Sequence, residues 1–137
     1  MKHFNKDSLD YSFIAKFEAG LSLLGTEAKS LRTQNPQFQN SKIEMFGSIP
    51  HLINLNIPVY KYSQGQIIDT ARPRPLLLNK KEIAKIISYR YQKYMIIPIS
   101  IFAKGKWFKV EIGIGRKMKK YEKREKIKAR EFQKYSQ

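Results

Sequence analysis

The sequence of 137 residues contains no cysteine, two histidines and only eleven acidic residues. Without cysteine the chain can form no disulfide, no cysteine-ligated zinc finger and no thiolate nucleophile. The acidic residues are scattered, and no two have the spacing of a general acid–base pair or of a metal-binding motif. His3 stands in a polar N-terminus and His51 begins a strand-like run, so neither has partners that would make it a ligand or a base. We therefore expect a protein that is not an enzyme and that holds no metal or other cofactor.

Long apolar runs are also missing. The longest, from Tyr94 to Ala103, is interrupted by Pro98 and Ser100 and is too short to span a bilayer. The N-terminal residues carry scattered charges and lack the apolar stretch of a secretory signal. These features predict a soluble protein of the cytoplasm.

Positive charge is what the chain has in excess. Its 27 Lys and Arg residues give a net charge of +16, of which residues 116–134 carry +7 and residues 1–115 carry +9. A charge of this size speeds association with polyanions, and the expected partners are nucleic acid or an anionic membrane. A membrane is the weaker candidate, because the apolar residues of the tail are too sparse to form a membrane-binding face.

The apolar residues, 42% of the chain, recur in short runs that are typical of β-strands. Two helices are predicted, one from Thr26 to Arg32 and one that begins after Asn79, where Glu82 completes a capping box. Residues 60–71 read as a long loop. The pattern predicts a mostly β fold, a small antiparallel OB-like β-barrel with two or three flanking helices. The barrel takes residues 1–115, of which 1–10 are loose, and residues 116–137 form a basic C-terminal tail, disordered or helical, that folds on a polyanion. The strand-like runs are 11–17, 20–24, 41–46, 51–57, 76–78, 95–102 and 107–114.

A cluster of cations in the second half of the barrel is a candidate phosphate-binding patch. Arg72 and Arg74 lie on a segment that two prolines keep extended, and Lys80 and Lys81 follow near a helix N-terminus. Guanidinium groups match phosphate geometry, and a stiff segment loses little entropy on binding. A solvated surface is the alternative for any single lysine. Most of the Phe residues and Trp107 are expected in the core, whereas exposed Tyr residues could stack on unpaired bases.

Five blocks of sequence, in order along the chain, resemble the SmpB family of tmRNA-binding proteins from bacterial trans-translation. The blocks are Phe17–Leu21 (FEAGL), Gly25–Arg32 (GTEAKSLR), Arg72–Ile83 (RPRPLLLNKKEI), Lys109–Gly115 (KVEIGIG) and Tyr121–Arg124 (YEKR). The resemblance covers residues 5 to about 132. It implies an OB-like barrel that binds the tRNA-like domain of tmRNA and delivers it to a stalled ribosome.

The resemblance also implies the partners and the site residues. The tail is implied to enter the vacant decoding centre and mRNA channel along 16S ribosomal RNA, with elongation factor Tu in the same complex and the protein as a monomer. Glu18, Leu77, Asn5 and Lys6 match family positions needed for tmRNA binding, although Leu77 could also be a core residue. Tyr121 matches an aromatic position that stacks in the decoding centre, and Lys123 and Arg124 match the adjacent basic pair. Further barrel contacts are predicted at Lys29, Arg32 and Asn79, and further tail contacts at Lys119, Lys120, Lys126, Lys128 and Arg130.

The chain departs from the family pattern at several positions. Leu9 stands where the family usually has His, Pro75 replaces a usual Lys, and Lys117-Met118 replaces a usual Gly-Lys before the tail. Two alternative functions remain open from the residues alone. A general RNA-binding or ribosomal structural protein is the main alternative, and a barrel nuclease is less favoured because no His or carboxylate cluster is evident.

Overall fold

The computed structural model describes residues 2–61 and 69–135, with side chains described through residue 130. Part of the predicted loop at 60–71 falls on residues 62–68 and so lies outside the described residues. Within these ranges the chain forms seven strands, three α-helices and one short 3-10 helix, Lys6–Asp10. The strands are β1 Lys2–Phe4, β2 Tyr11–Leu21, β3 Lys42–Phe46, β4 Ile49–Ile53, β5 Arg74–Leu77, β6 Met95–Lys104 and β7 Trp107–Lys117. The helices are α1 Gly25–Thr33, α2 Lys80–Tyr91 and α3 Lys120–Tyr135.

All neighbouring strands are antiparallel and form one curved sheet in the order β1-β6-β7-β2-β5-β4-β3. Within the described ranges β1 and β3 are the two edges, so hydrogen bonds do not close the sheet. The sheet nevertheless curls far enough to bring Cα atoms of β3 within 8 Å of β6. The predicted fold class, a mostly antiparallel OB-like β structure with flanking helices, is confirmed.

Alternation along the long strands separates an inner face from an outer face. On β7, Phe108, Val110 and Ile112 are buried, whereas Trp107 and Lys109 between and beside them face outward. Leu31 of α1 and Ile86 of α2 complete the core, where they cover the inner face of the sheet. On the outer face, Trp107 of β7 and Glu18 of β2 are exposed, whereas Ser100 of β6 and Gly113 of β7 are buried.

The N-terminal residues 2–10 are ordered, and the prediction that residues 1–10 are loose is wrong for the part that the structure describes. β1 pairs with β6, and the ring of His3 forms a hydrogen bond with the carbonyl of Leu31 at 2.6 Å. Asn5 is buried, where its carboxamide donates to the carbonyl of Pro98 at 2.8 Å. These contacts supply binding partners that composition cannot reveal, because they come from residues 28 to 93 positions away.

Both predicted helices are present. Asn79 caps α2, since its side-chain oxygen accepts from the N–H of Glu82 at 2.8 Å, and this capping box is confirmed. Helix α1 begins one residue earlier than predicted, at Gly25, and the Glu27 carboxylate accepts from the N–H of Leu24 at 2.9 Å. Thr26 is therefore inside the first turn.

Candidate nucleic-acid interface

The outer face of the sheet presents a continuous row of side chains across five strands. Strand register places Lys2, Phe102, Lys109, Gly20 and Leu77 side by side, from β1 through β6, β7 and β2 to β5. A second row, adjacent to the first, contains Phe4, Ser100, Glu111 and Glu18. We name the part of this surface on β2, β5 and β7 the outer patch: Glu18, Gly20, Leu77 and Lys109.

Leu77 is the most unusual member of the outer patch. It is 67% exposed, although it stands in a strand between buried and half-buried residues. Its side chain lies over Gly20, where an added Cβ would come within 3.1 Å of the Leu77 Cβ. The glycine thus leaves room for the leucine to lie across β2. The alternative that Leu77 is a core residue is wrong, and its exposed apolar surface is available to a partner.

Glu18 lies beside Leu77 and is held by two lysines. Its carboxylate is 3.3 Å from the ammonium of Lys109 and 3.6 Å from that of Lys104. The hydrogen bond from Lys109 holds the pKa of Glu18 below its ordinary value, and the charge of Lys104 acts in the same direction. Glu18 therefore stays ionised at neutral pH, as a fixed hydrogen-bond acceptor within a cationic surface.

The end of β5 carries further cations close to Leu77. Lys80 and Lys81 are exposed in the first turn of α2, three and four residues after Leu77. Asn79 is also exposed, but its carboxamide oxygen is occupied by the capping hydrogen bond. Lys80 and Lys81 have the arrangement expected of a phosphate contact, since their ammonium groups lie near the positive, N-terminal end of the α2 dipole.

The structure contradicts the prediction that Arg74 contacts phosphate. Arg74 is fully buried, and its guanidinium donates to Glu27 at 2.8 Å, to the carbonyl of Leu55 at 2.6 Å and to that of Thr70 at 2.8 Å. Arg72 is only a quarter exposed and also donates to Glu27, at 3.2 Å from its Nε. We name Glu27, Arg72 and Arg74 the arginine clamp. Its role is structural, since it ties α1 to the start of β5, the strand that presents Leu77.

The remaining barrel residues of the predicted site are spread over two other regions. Lys29 and Arg32 are exposed on α1, where the Lys29 ammonium lies 5.9 Å from the ring centre of Tyr60 and the Arg32 guanidinium 5.6 Å from that of Phe108. Lys6 is exposed beside β1, at the far edge of the sheet from Leu77. The prediction that the Asn5 side chain contacts RNA is wrong, because its carboxamide donates to the carbonyl of Pro98 and accepts from the N–H of Asp7 at 3.1 Å.

The tail forms helix α3, which contacts the barrel at its base. The N–H of Met118 donates to the carbonyl of Asp10 at 2.8 Å, and the ammonium of Lys123 lies 2.6 Å from the Asp10 carboxylate. Tyr121 is 58% exposed, and the charge of Glu122 raises the pKa of its phenol. The other predicted tail contacts are exposed cations: Lys119, Lys120, Arg124, Lys126, Lys128 and Arg130.

Comparison with known proteins identifies the family. The family model described as "SmpB protein" matches residues 3–137. The chain belongs to the SmpB family. SmpB proteins bind RNA and are not enzymes.

Individual members of the family are similar to this protein over most of its chain. The SsrA-binding protein of Thermosipho africanus is 42% identical over 125 residues, 90% of this chain and 84% of the relative. That of Mycoplasmoides gallisepticum is 38% identical over 130 residues, 94% of this chain and 91% of the relative. A solved structure described as "tmRNA-SmpB: a journey to the center of the bacterial ribosome" is 31% identical, with a TM-score of 0.73 over 87% of this chain and 85% of that chain.

The SmpB motifs quoted from the sequence meet on the outer patch. The FEAGL block supplies Glu18 and Gly20, the block with three leucines supplies Leu77, and the KVEIGIG block supplies Lys109. Sequence reasoning omitted Lys104, Lys109 and Trp107 from the site. Period-2 alternation could have found Trp107 and Lys109, because they share the parity of Glu111 while the apolar residues of β7 occupy the other parity.

The part of the chain that the structure describes lacks two other kinds of feature. No group of three or more His, Cys, Asp or Glu side chains there could hold a metal ion. Likewise, no described helix has the length and apolar character required to cross a membrane.

Proposed function

We propose that this protein binds the tRNA-like domain of tmRNA through the outer patch and delivers that RNA to stalled ribosomes for trans-translation. The observation that carries the proposal is the exposed Leu77, placed beside the ion-paired Glu18 in a family of RNA-binding proteins. Relatives are named for SsrA binding, and the description of the matched solved structure names tmRNA-SmpB and the bacterial ribosome. These names support the same partner for the present chain.

The outer patch has the chemistry for recognising a folded RNA. Leu77 can contact the apolar face of a base or sugar, and Glu18 can accept a hydrogen bond from a base amino group or a 2′-hydroxyl. The exposed Lys80 and Lys81 supply charge for the phosphate backbone. Binding is then shape recognition combined with phosphate contacts, and the arginine clamp keeps β5 in position.

The tail is proposed to act on the ribosome rather than on tmRNA. Its cations, together with the exposed aromatic side chain of Tyr121, suit contact with 16S ribosomal RNA in the vacant decoding centre and mRNA channel. Elongation factor Tu would then accompany the same complex. The tail is a separate functional unit from the barrel, which extends two residues beyond the predicted boundary at residue 115, because β7 continues to Lys117.

Two substitutions test the barrel surface against matched controls. Leu77→Ala and Glu18→Ala should each weaken binding to the tRNA-like domain about tenfold at physiological salt, as expected of contacts at the centre of an interface. The controls are Ile49→Ala, which removes a 50% exposed aliphatic side chain, and Glu44→Ala, which removes a carboxylate paired with Lys42 and Arg90. Equal affinities for all four variants would refute the assigned surface.

A truncation tests the tail. A chain that ends at Met118 keeps the pairing of Lys117 with Tyr11 and the Met118–Asp10 hydrogen bond, so that the barrel is left intact. We expect unchanged affinity for the tRNA-like domain and loss of peptidyl transfer to tmRNA on stalled ribosomes. Normal tagging of nascent chains by the truncated protein would refute the proposed role of the tail.

A further inference from the structure

Trp107, the single tryptophan of the chain, lies on the surface. Its side chain is 77% exposed at the start of β7, immediately after the turn at Gly105, which has a φ of +64°. The next residue, Phe108, is buried in the core. The fold therefore uses the neighbouring aromatic ring for packing and leaves the larger indole in solvent.

The surroundings of Trp107 are cationic. Lys104 is its partner across the β6–β7 hairpin, and Lys106 and Lys109 flank it on the chain, with Lys109 facing the same side of the sheet. An exposed aromatic ring among cations is the arrangement with which proteins hold single-stranded nucleic acid, the ring for a base and the cations for its phosphates.

The position of Trp107 joins it to the outer patch. Lys109, two residues along β7, is in the same row as Gly20 and Leu77. Standard strand spacings put Trp107 roughly 12 Å from Leu77 on the same face. One RNA element can therefore contact both side chains at once.

We propose that Trp107 stacks on an unpaired base of the bound RNA, while Lys104 and Lys106 contact the phosphates beside that base. This inference rests on the proposed function and extends it, because it assigns a base-stacking position that the family motifs do not include. An apolar peptide is a poorer fit to the indole, since binding it would remove water from the Lys106 ammonium and from the Lys104–Glu18 ion pair.

Intrinsic fluorescence gives a direct test, because all tryptophan emission of the protein comes from this one ring. Titration of the full-length protein with the tRNA-like domain of tmRNA should quench that emission, with a midpoint equal to the Kd from an independent filter-binding measurement. Affinity is then measured for Trp107→Ala, Trp107→Leu and Trp107→Phe. The alanine and leucine variants should bind roughly 5- to 150-fold more weakly, whereas phenylalanine should retain most of the affinity.

The outcomes separate this inference from the function on which it rests. Wild-type binding with unchanged emission, or equal affinity for the alanine variant, would overturn the stacking role alone. If Trp107→Leu retains as much affinity as Trp107→Phe, the stacking role is also overturned, since an apolar contact would then suffice. A wild-type protein that does not bind the RNA would overturn the proposed function and this inference together. Phe46→Ala, which removes another exposed ring, is the matched control and should bind normally.

Discussion

Replacing Glu27 with glutamine would remove the only negative charge that Arg72 and Arg74 share among the contacts described. The carboxylate is 4% exposed and accepts from the Nε of both arginines, at 3.2 and 2.8 Å, as well as from the N–H of Leu24. After the substitution, the carboxamide would keep one acceptor oxygen but would turn its NH2 group, a donor, toward the donors of one guanidinium. The fully buried Arg74 would keep the carbonyls of Leu55 and Thr70 and would lose the charge of its ion-pair partner.

The size of the effect follows from this burial. Breaking a buried ion pair by removal of one partner costs about 3–5 kcal/mol, a large part of the roughly 5–15 kcal/mol by which a domain is stable. Urea unfolding followed by far-UV circular dichroism measures the loss. Glu44→Gln is the control, because Glu44 pairs with Lys42 and Arg90 at a partly exposed site and should cost less than about 1 kcal/mol. If Glu27→Gln costs no more than this control, the structural role of the arginine clamp is refuted.

The stability difference between the wild-type protein and Glu27→Gln should also depend on pH. Burial alone would raise the pKa of Glu27, but the hydrogen bonds from Arg72 and Leu24 and the charge of Arg74 outweigh burial and lower the pKa from 4.5. A lowered carboxyl pKa contributes stability that is fully present above about pH 4.5, the unfolded value, and that is lost as the pH falls through the folded pKa. The difference in stability between wild type and Glu27→Gln should therefore shrink in acid. A constant difference from pH 7 to pH 3 would contradict the assignment.

Three further substitutions test the packing around the interface. Gly115→Ala should lower the free energy of unfolding in urea by about 3 kcal/mol or more, because the added Cβ would meet backbone atoms of β2. Gly25→Ala is the control, since an added Cβ there has open space and should leave stability nearly unchanged. Similar values for both would contradict the close approach of β2 and β7. Asn5→Ala should lower the unfolding free energy by about 1–3 kcal/mol, since it removes the cap of the 3-10 helix and the hydrogen bond to the carbonyl of Pro98. A change below about 0.5 kcal/mol, the smallest effect expected from the loss of a cap, would count against the ordered N-terminus. Asp10→Asn should alter stability by less than about 1 kcal/mol yet broaden the distance distribution between spin labels on the barrel and on α3, because it removes the ion pair with Lys123; an unchanged distribution would show that this pair does not orient the tail.

The fold was predictable to the extent that local patterns agree with it. Alternation marked the strands, the Asn79–Glu82 capping box marked the start of α2, and the turn at Gly105 marked the β6–β7 hairpin. The N-terminus was misjudged because its order depends on Asn5 and His3 reaching distant carbonyls, which local composition does not encode.

The site was harder to predict because β5 buries a charged residue and exposes an apolar one, the opposite of the usual distribution. Its arginine at position 74 is buried and its leucine at position 77 is exposed. Charge alone placed Arg74 on the surface, and the buried Glu27 that makes its burial tolerable lies 47 residues away in sequence. Only the resemblance to a family indicated Leu77. Such local violations are typical of positions that serve a partner or a structural ion pair rather than the strand itself.

The central claim is tested most directly by identifying the RNA that the protein binds in cells. The full-length protein is captured after crosslinking, and the bound RNA is sequenced and compared with total RNA; Leu77→Ala serves as the matched control. The account predicts strong enrichment of tmRNA with wild type and reduced enrichment with the variant. Recovery of RNAs in proportion to their abundance, with no preference for tmRNA, would instead indicate a general RNA-binding protein and contradict the account.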